Sequence, residues 1–208
     1  PLNEVYNFYK SKIDSSQILE KLNLTSNHYI LASIHRAENI DSKKYLNIIF
    51  GSLDTLQKKL KLPIIFSAHP GTQKKIKEYG IRVSKNFLLK EPFGYLDYVK
   101  MMKHAKLIIS DSGSITEESS ILSLPSINLR SSNERQEGME NGTVIMTGLD
   151  KNSILLSAKI VLDKRKNNIF KQPIYPDYSN LNVSDTVVAI LQSYTGYIKN
   201  KNYPDSEI

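Results

Sequence analysis

The sequence predicts an α/β fold: a doubly wound, mostly parallel six-stranded sheet of Rossmann-like type. Three observations lead there. Six short apolar runs alternate with stretches whose apolar residues recur at helical spacing. The best-defined runs are continuously apolar, as strands covered on both faces require. Polar and charged residues gather just after the runs, on the edge where parallel strands end together and ligands bind. With 208 residues, 40% hydrophobic and 24% charged, the chain can bury a sizeable core, and the composition excludes a disordered or fibrous protein.

Taken in order, the leading segment carries a short helix around Ser15 to Leu22, and the first strand is YILASI, Tyr29 to Ile34. Ser42 to Leu60 places Tyr45, Leu46, Ile48, Ile49, Leu53, Leu56 and Leu60 on one helical stripe. Strand Pro63 to Ala68, helix Thr72 to Tyr79, strand Asn86 to Lys90 and helix Tyr95 to Lys103 follow. Then come strand Lys106 to Ser110, a helix opening near Ser114, strands Ser126 to Arg130 and Thr143 to Gly148, and a helix from Lys151 to Leu162. A polar, proline-bearing stretch, Asn167 to Asn182, leads to a closing helix, Val183 to Ile198. Helical crossovers between parallel strands are right-handed. The expected organisation is a linker and short helix over 1–26, a nucleotide-binding domain over 27–165, and a polar linker with the closing helix over 166–208.

Several function classes drop out. There is no cysteine, which excludes disulfide scaffolds, thiol nucleophiles and thiolate zinc sites. No ligand-spaced cluster of His, Asp or Glu stands out, so no metal is expected. No apolar run reaches the length of a membrane span, and PLNEVYNFYK is not a secretion signal, so a cytoplasmic location is expected. The net charge of +7 invites nucleic acid, but lysines such as Lys43, Lys58, Lys74 and Lys164 are spread over the solvated faces of several helices. An anionic small molecule fits the sign as well.

The chemistry is in the loops after the strands. Ser112, Gly113 and Ser114 lie between a strand and a helix, where small residues let a phosphate reach backbone N–H groups at the positive end of the helix dipole. Ser114 with Glu117 is equally a capping box. Glu118, one turn on, suits a ribose diol or a plain solvated helix position. Arg36 offers a planar fork to a phosphate, and His35 a proton near neutral pH. His35 and His69 both follow consecutive strands. Arg135, between Glu134 and Glu137, is either part of a surface ion-pair network or a guanidinium held toward a diphosphate.

The strings HRAEN, AHPGTQKKI, EPFGYLDYV, DSGSITEESSIL and RSSNERQEG occur in this order between His35 and Gly138. In these motifs the chain resembles the C-terminal half of the non-hydrolysing UDP-N-acetylglucosamine 2-epimerases, over Leu31 to Ile198. SGSITEESSIL, HPGTQKKI and the tail NVSDTVVAILQSYTGYI resemble the UDP-N-acetyl-L-fucosamine synthase branch. The chain departs from the family at Ser114, where the glucosamine branch has Gly, at Gln136, where Pro is usual, and at Ser123, where Gly follows the helix.

The resemblance implies the C-terminal half of a two-domain GT-B-type architecture, with the N-terminal catalytic domain absent from this chain. It implies inversion at C2 of a UDP-2-acetamido sugar, by elimination of UDP and re-addition, for capsule or O-antigen precursors. The implied ligand is UDP or the UDP-sugar, with no cofactor. His35 is the implied catalytic group; Ser112, Gly113, Ser114 and Arg135 serve the diphosphate, Glu118 the ribose, Arg36 and His69 the histidine side, and Phe93 and Tyr98 the uracil. The chain alone is expected to be inactive, its parent a homodimer, and its interdomain face apolar and aromatic. The alternatives are the nucleotide-binding domain of a GT-B glycosyltransferase, a hydrolysing UDP-N-acetylglucosamine 2-epimerase, and a non-catalytic remnant.

Overall fold

The structure, a computed structural model, describes residues 1–132, 135–167 and 174–202, with backbone only from 199 onward. Two helices, α1 (Leu2–Asp14) and α2 (Ile18–Lys21), precede the first strand, β1 (Ile30–Ser33). The chain continues through α3 (Ala37–Ile40), α4 (Lys43–Leu60), β2 (Ile64–Ser67), α5 (Pro70–Glu78), β3 (Phe87–Lys90), α6 (Tyr95–His104) and β4 (Leu107–Ser110). It ends with α7 (Ile115–Leu122), β5 (Ser126–Asn128), α8 (Gln136–Glu140), β6 (Ile145–Met146), α9 (Lys151–Lys166) and α10 (Val183–Asn202).

The six strands form one sheet in the order β3-β2-β1-β4-β5-β6, and every pairing is parallel. The sequence order therefore reverses direction between β1 and β4, which opens a crevice above their carboxyl ends.

Both faces of the central strands β1, β2 and β4 are covered, which explains their unbroken apolar runs. Ile30, Ala32, Ile64, Phe66, Leu107 and Ile109 point into one core, shared with Leu46, Ile49 and Leu53 of α4 and Ile154 and Ala158 of α9. Their neighbours Leu31, Ile65 and Ile108 point into the other, with Tyr6 and Ile13 of α1, Ile18 and Leu19 of α2, and Val99, Met101 and Met102 of α6. The period of two along each strand sorts the side chains between the layers.

Three local details depart from the sequence expectations. The leading segment holds two helices, and α1 is a full element whose Tyr6 and Ile13 are buried. Strands β5 and β6 are shorter than their apolar runs. Ser123, where a glycine is usual, takes a left-handed conformation at φ 52° to end α7, a backbone that glycine adopts without steric cost.

The strands also end alike. In register, Lys90, Ser67, Ser33, Ser110 and Asn128 form a polar row across β3, β2, β1, β4 and β5. The three central members are serines, whose small side chains leave room above the crevice. Among the described residues no helix is long and apolar enough to cross a membrane.

Candidate active site at the switch point

Asp111 follows β4 directly and is fully buried. Its carboxylate accepts the backbone N–H groups of His35 (3.1 Å) and Arg36 (3.0 Å) and the side-chain amide of Asn39 (2.9 Å). The His35 Nδ1 lies 3.3 Å from Asp111 Oδ1. The Arg36 Nε donates to the Asp111 backbone carbonyl at 2.9 Å, and Asn39 also donates to the Leu129 carbonyl at 3.2 Å. One carboxylate thus ties the loop after β1 to the loop after β4, across the reversal in strand order. A buried carboxylate is tolerated where donors surround it in this way.

On one side of Asp111 stand the histidines. His35, His69, Ser33, Ser67 and Pro92 line a cavity of about 280 Å³ above β1 and β2. His69 is the N-cap of α5, and its Nδ1 accepts the N–H of Gly71 at 3.2 Å. Thr72, next on that helix, is buried and donates to the Ile34 carbonyl at 2.9 Å, which fixes the loop after β2 against β1.

On the other side stand the arginines. Gly113 is buried, and a Cβ placed on it would lie 2.7 Å from Arg135 Nη1, 3.6 Å from Arg130 Nη1 and 3.7 Å from Arg36 Nη2. Three guanidiniums from two loops, those after β1 and β5, therefore gather at one backbone point of a third. Glu117 Oε1 accepts from Arg135 Nε at 2.7 Å and aims that fork. Gly138 keeps α8, which begins after Arg135, against α7, since a Cβ there would fall 1.8 Å from Thr116 Cγ2. An anion bound beside Gly113 would meet planar forks suited to phosphate oxygens.

The capping-box alternative for Ser114 fails. Ser114 makes no side-chain cap bond; its hydroxyl pairs with that of Ser112 at 2.9 Å, while Glu117 serves Arg135. Two hydroxyls and the N-terminus of α7 thus face the same place as the arginines. Of the carboxylates expected beside Arg135, Glu137 instead accepts from the Tyr178 hydroxyl and Glu134 lies outside the described residues, while Glu117, for which this role was not foreseen, accepts from Arg135.

Glu118 is half-buried. Burial raises its carboxyl above the ordinary range, while contacts with the Tyr6 and Ser114 hydroxyls pull it back down. Tyr6 stacks on Tyr95 with ring centroids 6.0 Å apart, so α1 and α6 together wall this carboxylate. Phe93 and Tyr98 both pack, partly buried, against the core on the α6 side. The Tyr98 hydroxyl lies beside Ser33, and burial pushes the phenol well above its usual range. Tyr98 is therefore placed beneath the crevice.

The described residues singled out from the loops thus lie at or under one edge of the sheet. Asp111, Asn39 and Arg130 are also part of this arrangement, though no role was expected of them. Asp111 and Arg130 were visible as charged residues ending the buried runs LIIS and SINL. Asn39 carried no such signal.

Residues 2–192 match the family described as UDP-N-acetylglucosamine 2-epimerase. The UDP-N-acetylglucosamine 2-epimerase of Methanocaldococcus jannaschii is 38% identical over 167 residues, which cover 78% of this chain and 44% of that protein. The structure of the Rickettsia bellii UDP-N-acetylglucosamine 2-epimerase superposes with a TM-score of 0.84 at 36% identity, over 97% of this chain and 54% of that one. A structure of the M. jannaschii enzyme in complex with UDP-GlcNAc and UDP gives 0.80 at 31% identity, over 92% and 52%. The chain spans about half the length of these relatives. The matched region contains both sides of the switch-point site, and the chain belongs to the UDP-N-acetylglucosamine 2-epimerase family.

Proposed function

We propose that this chain is the UDP-sugar-binding half of an enzyme that inverts C2 of a UDP-2-acetamido sugar. The observation that carries the reading is the gathering of Arg36, Arg130 and Arg135 around Gly113, beside the Ser112 and Ser114 hydroxyls. A diphosphate is the part of such a ligand that needs this charge. Its need grows in the reaction: as the C1–O bond to UDP breaks and the C2 proton is removed, the leaving UDP gains negative charge. Preorganised guanidiniums, hydroxyls and helix N–H groups stabilise that charge without reorganisation. Re-addition of UDP to the 2-acetamidoglycal, with a proton delivered to the other face of C2, completes the inversion.

In this reading His35 is the catalytic group of the chain, handling a proton near the sugar and phosphate. His69 and Arg36 support that side, Glu118 meets the ribose hydroxyls, and Phe93 and Tyr98 lie toward the uracil. The remaining acid and base groups come from an N-terminal domain, so the chain alone binds but does not turn over. The apolar row Val187, Ile190, Leu191, Tyr194 and Ile198, exposed along α10, supports a second domain that covers it. A GT-B-type pair of domains, a homodimeric parent and a role in capsule or O-antigen precursor synthesis complete the proposal. The fucosamine-synthase branch is favoured by the string SGSITEESSIL, in which Ser114 adds a hydroxyl to the phosphate site.

The test is calorimetric titration of the chain with UDP, UMP and uridine. UDP is expected to bind best, with affinity falling as salt rises, and R135A is expected to weaken it on the order of 10-fold to 100-fold, the scale of a lost charge-assisted pair. Equal binding of uridine and UDP would overturn the reading. Epimerisation of a UDP-2-acetamido sugar by the purified chain would overturn the assignment of catalytic groups to a second domain.

A further inference from the structure

We propose that Asp111 is a positioning residue for His35, and that the fold holds His35 and His69 in opposite tautomers on the wall of one cavity. A neutral imidazole carries its proton on one nitrogen and a lone pair on the other, and the partner of one nitrogen decides which.

For His35 the partner is a carboxylate. Asp111 Oδ1 lies 3.3 Å from Nδ1, and the same carboxylate already accepts N–H groups from His35, Arg36 and Asn39. Surrounded by donors, it has only acceptor capacity to offer. A lone pair on Nδ1 would face the lone pairs of Oδ1, so the proton belongs on Nδ1 and the lone pair on Nε2. Free imidazole side chains show no such bias toward Nδ1–H, so the preference has to be imposed. The backbone bonds help impose it, because Asp111 holds the His35 main chain with its ring beside the carboxylate.

For His69 the partner is a donor. Its Nδ1 accepts the N–H of Gly71 at 3.2 Å, so the lone pair is on Nδ1 and the proton on Nε2. A proton on Nδ1 would oppose the Gly71 N–H and leave the first turn of α5 without its cap.

Both rings line the cavity of about 280 Å³ above β1 and β2, with Ser33, Ser67 and Pro92. Two histidines that look equivalent in sequence therefore offer opposite chemistry. His35 presents a lone pair that can take a proton. His69 presents an N–H that can hold an anionic or carbonyl oxygen. The assignment gives a physical basis to the catalytic role proposed for His35, and it rests on that reading for its use but not for its truth.

The experiment is a two-bond ¹H–¹⁵N correlation spectrum of the ¹⁵N-labelled 208-residue chain, without nucleotide, at about pH 8, above the ordinary histidine range. The four histidines are assigned with H35Q and H69Q. The expected pattern has the unprotonated, downfield nitrogen at Nε2 of His35 and at Nδ1 of His69. In D111N an amide N–H₂ group enters a ring of donors, and His35 is expected to move toward the Nε2–H form while His69 keeps its pattern. Wild-type His35 protonated on Nε2, or D111N with an unchanged His35 pattern, would overturn the proposal. Should D111N fail to fold, the wild-type spectrum still decides. Because no UDP is present, the tautomers can be right while UDP binding fails, or wrong while it succeeds.

Discussion

The two sides of the switch point are built differently. On the histidine side, above β1 and β2, neutral bonds fix the His69 loop, with Gly71 donating to His69 and Thr72 to the Ile34 carbonyl, while His35 rests on the Asp111 carboxylate. The arginine side, above β4 and β5, is fixed by charge, with Glu117 on Arg135 and three guanidiniums around Gly113. The neutral bonds set the direction and tautomer of His69 at little electrostatic cost. The arginine side concentrates positive potential, which a bound anion relieves and which preorganises the site for developing negative charge. Under the proposed function, the difference teaches that proton handling and charge stabilisation can be separated across one sheet edge. Asp111 is the joint, since its buried carboxylate holds both His35 and Arg36.

Removing the joint is expected to have the largest effect. D111A leaves the His35 and Arg36 N–H groups and the Asn39 amide without their acceptor in a fully buried place. The expected loss is about 3 kcal/mol or more, read as a lower urea midpoint at unchanged slope. Both sides should respond, with UDP affinity falling and the His35 resonances shifting together. A variant as stable as the parent would show that the carboxylate does not join the two sides.

G113A separates them. The added methyl would stand 2.7 Å from Arg135 Nη1, the far end of a flexible side chain, so the guanidinium moves and the backbone stays. Stability is expected to change by less than about 1 kcal/mol, while UDP affinity falls on the order of 10-fold. The His35 and His69 spectra should stay as they are. If they change, the two sides are coupled more tightly than their separate fixings suggest.

How much of this was legible in the sequence follows from the same physics. The β1, β2 and β4 runs were readable because both faces are buried, and the α4 stripe because one is. Helix α1 was not, because only Tyr6 and Ile13 are buried along its 13 residues and no side chain caps its start. The loops that form the site were readable from their position after strands, and small residues flanked by charge marked the arginine side. Asp111 was not readable as a joint. Its donors lie 72 to 76 positions away, and no local pattern records a contact closed only by the sheet. Ser114 misled in the other direction: its spacing to Glu117 satisfies a capping rule, but Arg135, arriving from 18 positions downstream, takes the glutamate.

The smallest effect belongs to Glu118, which sits on the arginine side but is walled by Tyr6 and Tyr95 of α1 and α6. Burial raises its carboxyl in the folded state, whereas in the unfolded chain it titrates near the ordinary value of about 4.3. Between those two points the folded protein keeps a proton that the unfolded chain has lost. The contribution of Glu118 to stability therefore falls as pH rises through that window, and is constant above the folded value. Urea midpoints from about pH 4 to about pH 7 should show the parent losing ground against E118Q as pH rises, with the gap levelling off at the top. Tyr6 decides how far the window extends. Its hydroxyl opposes the rise, so Y6F should push the folded value further up and carry the decline to higher pH. Parallel curves for the parent and E118Q would mean that solvent reaches Glu118 past the tyrosines. The N-terminal helix would then be a bystander to the site and no longer one of its walls.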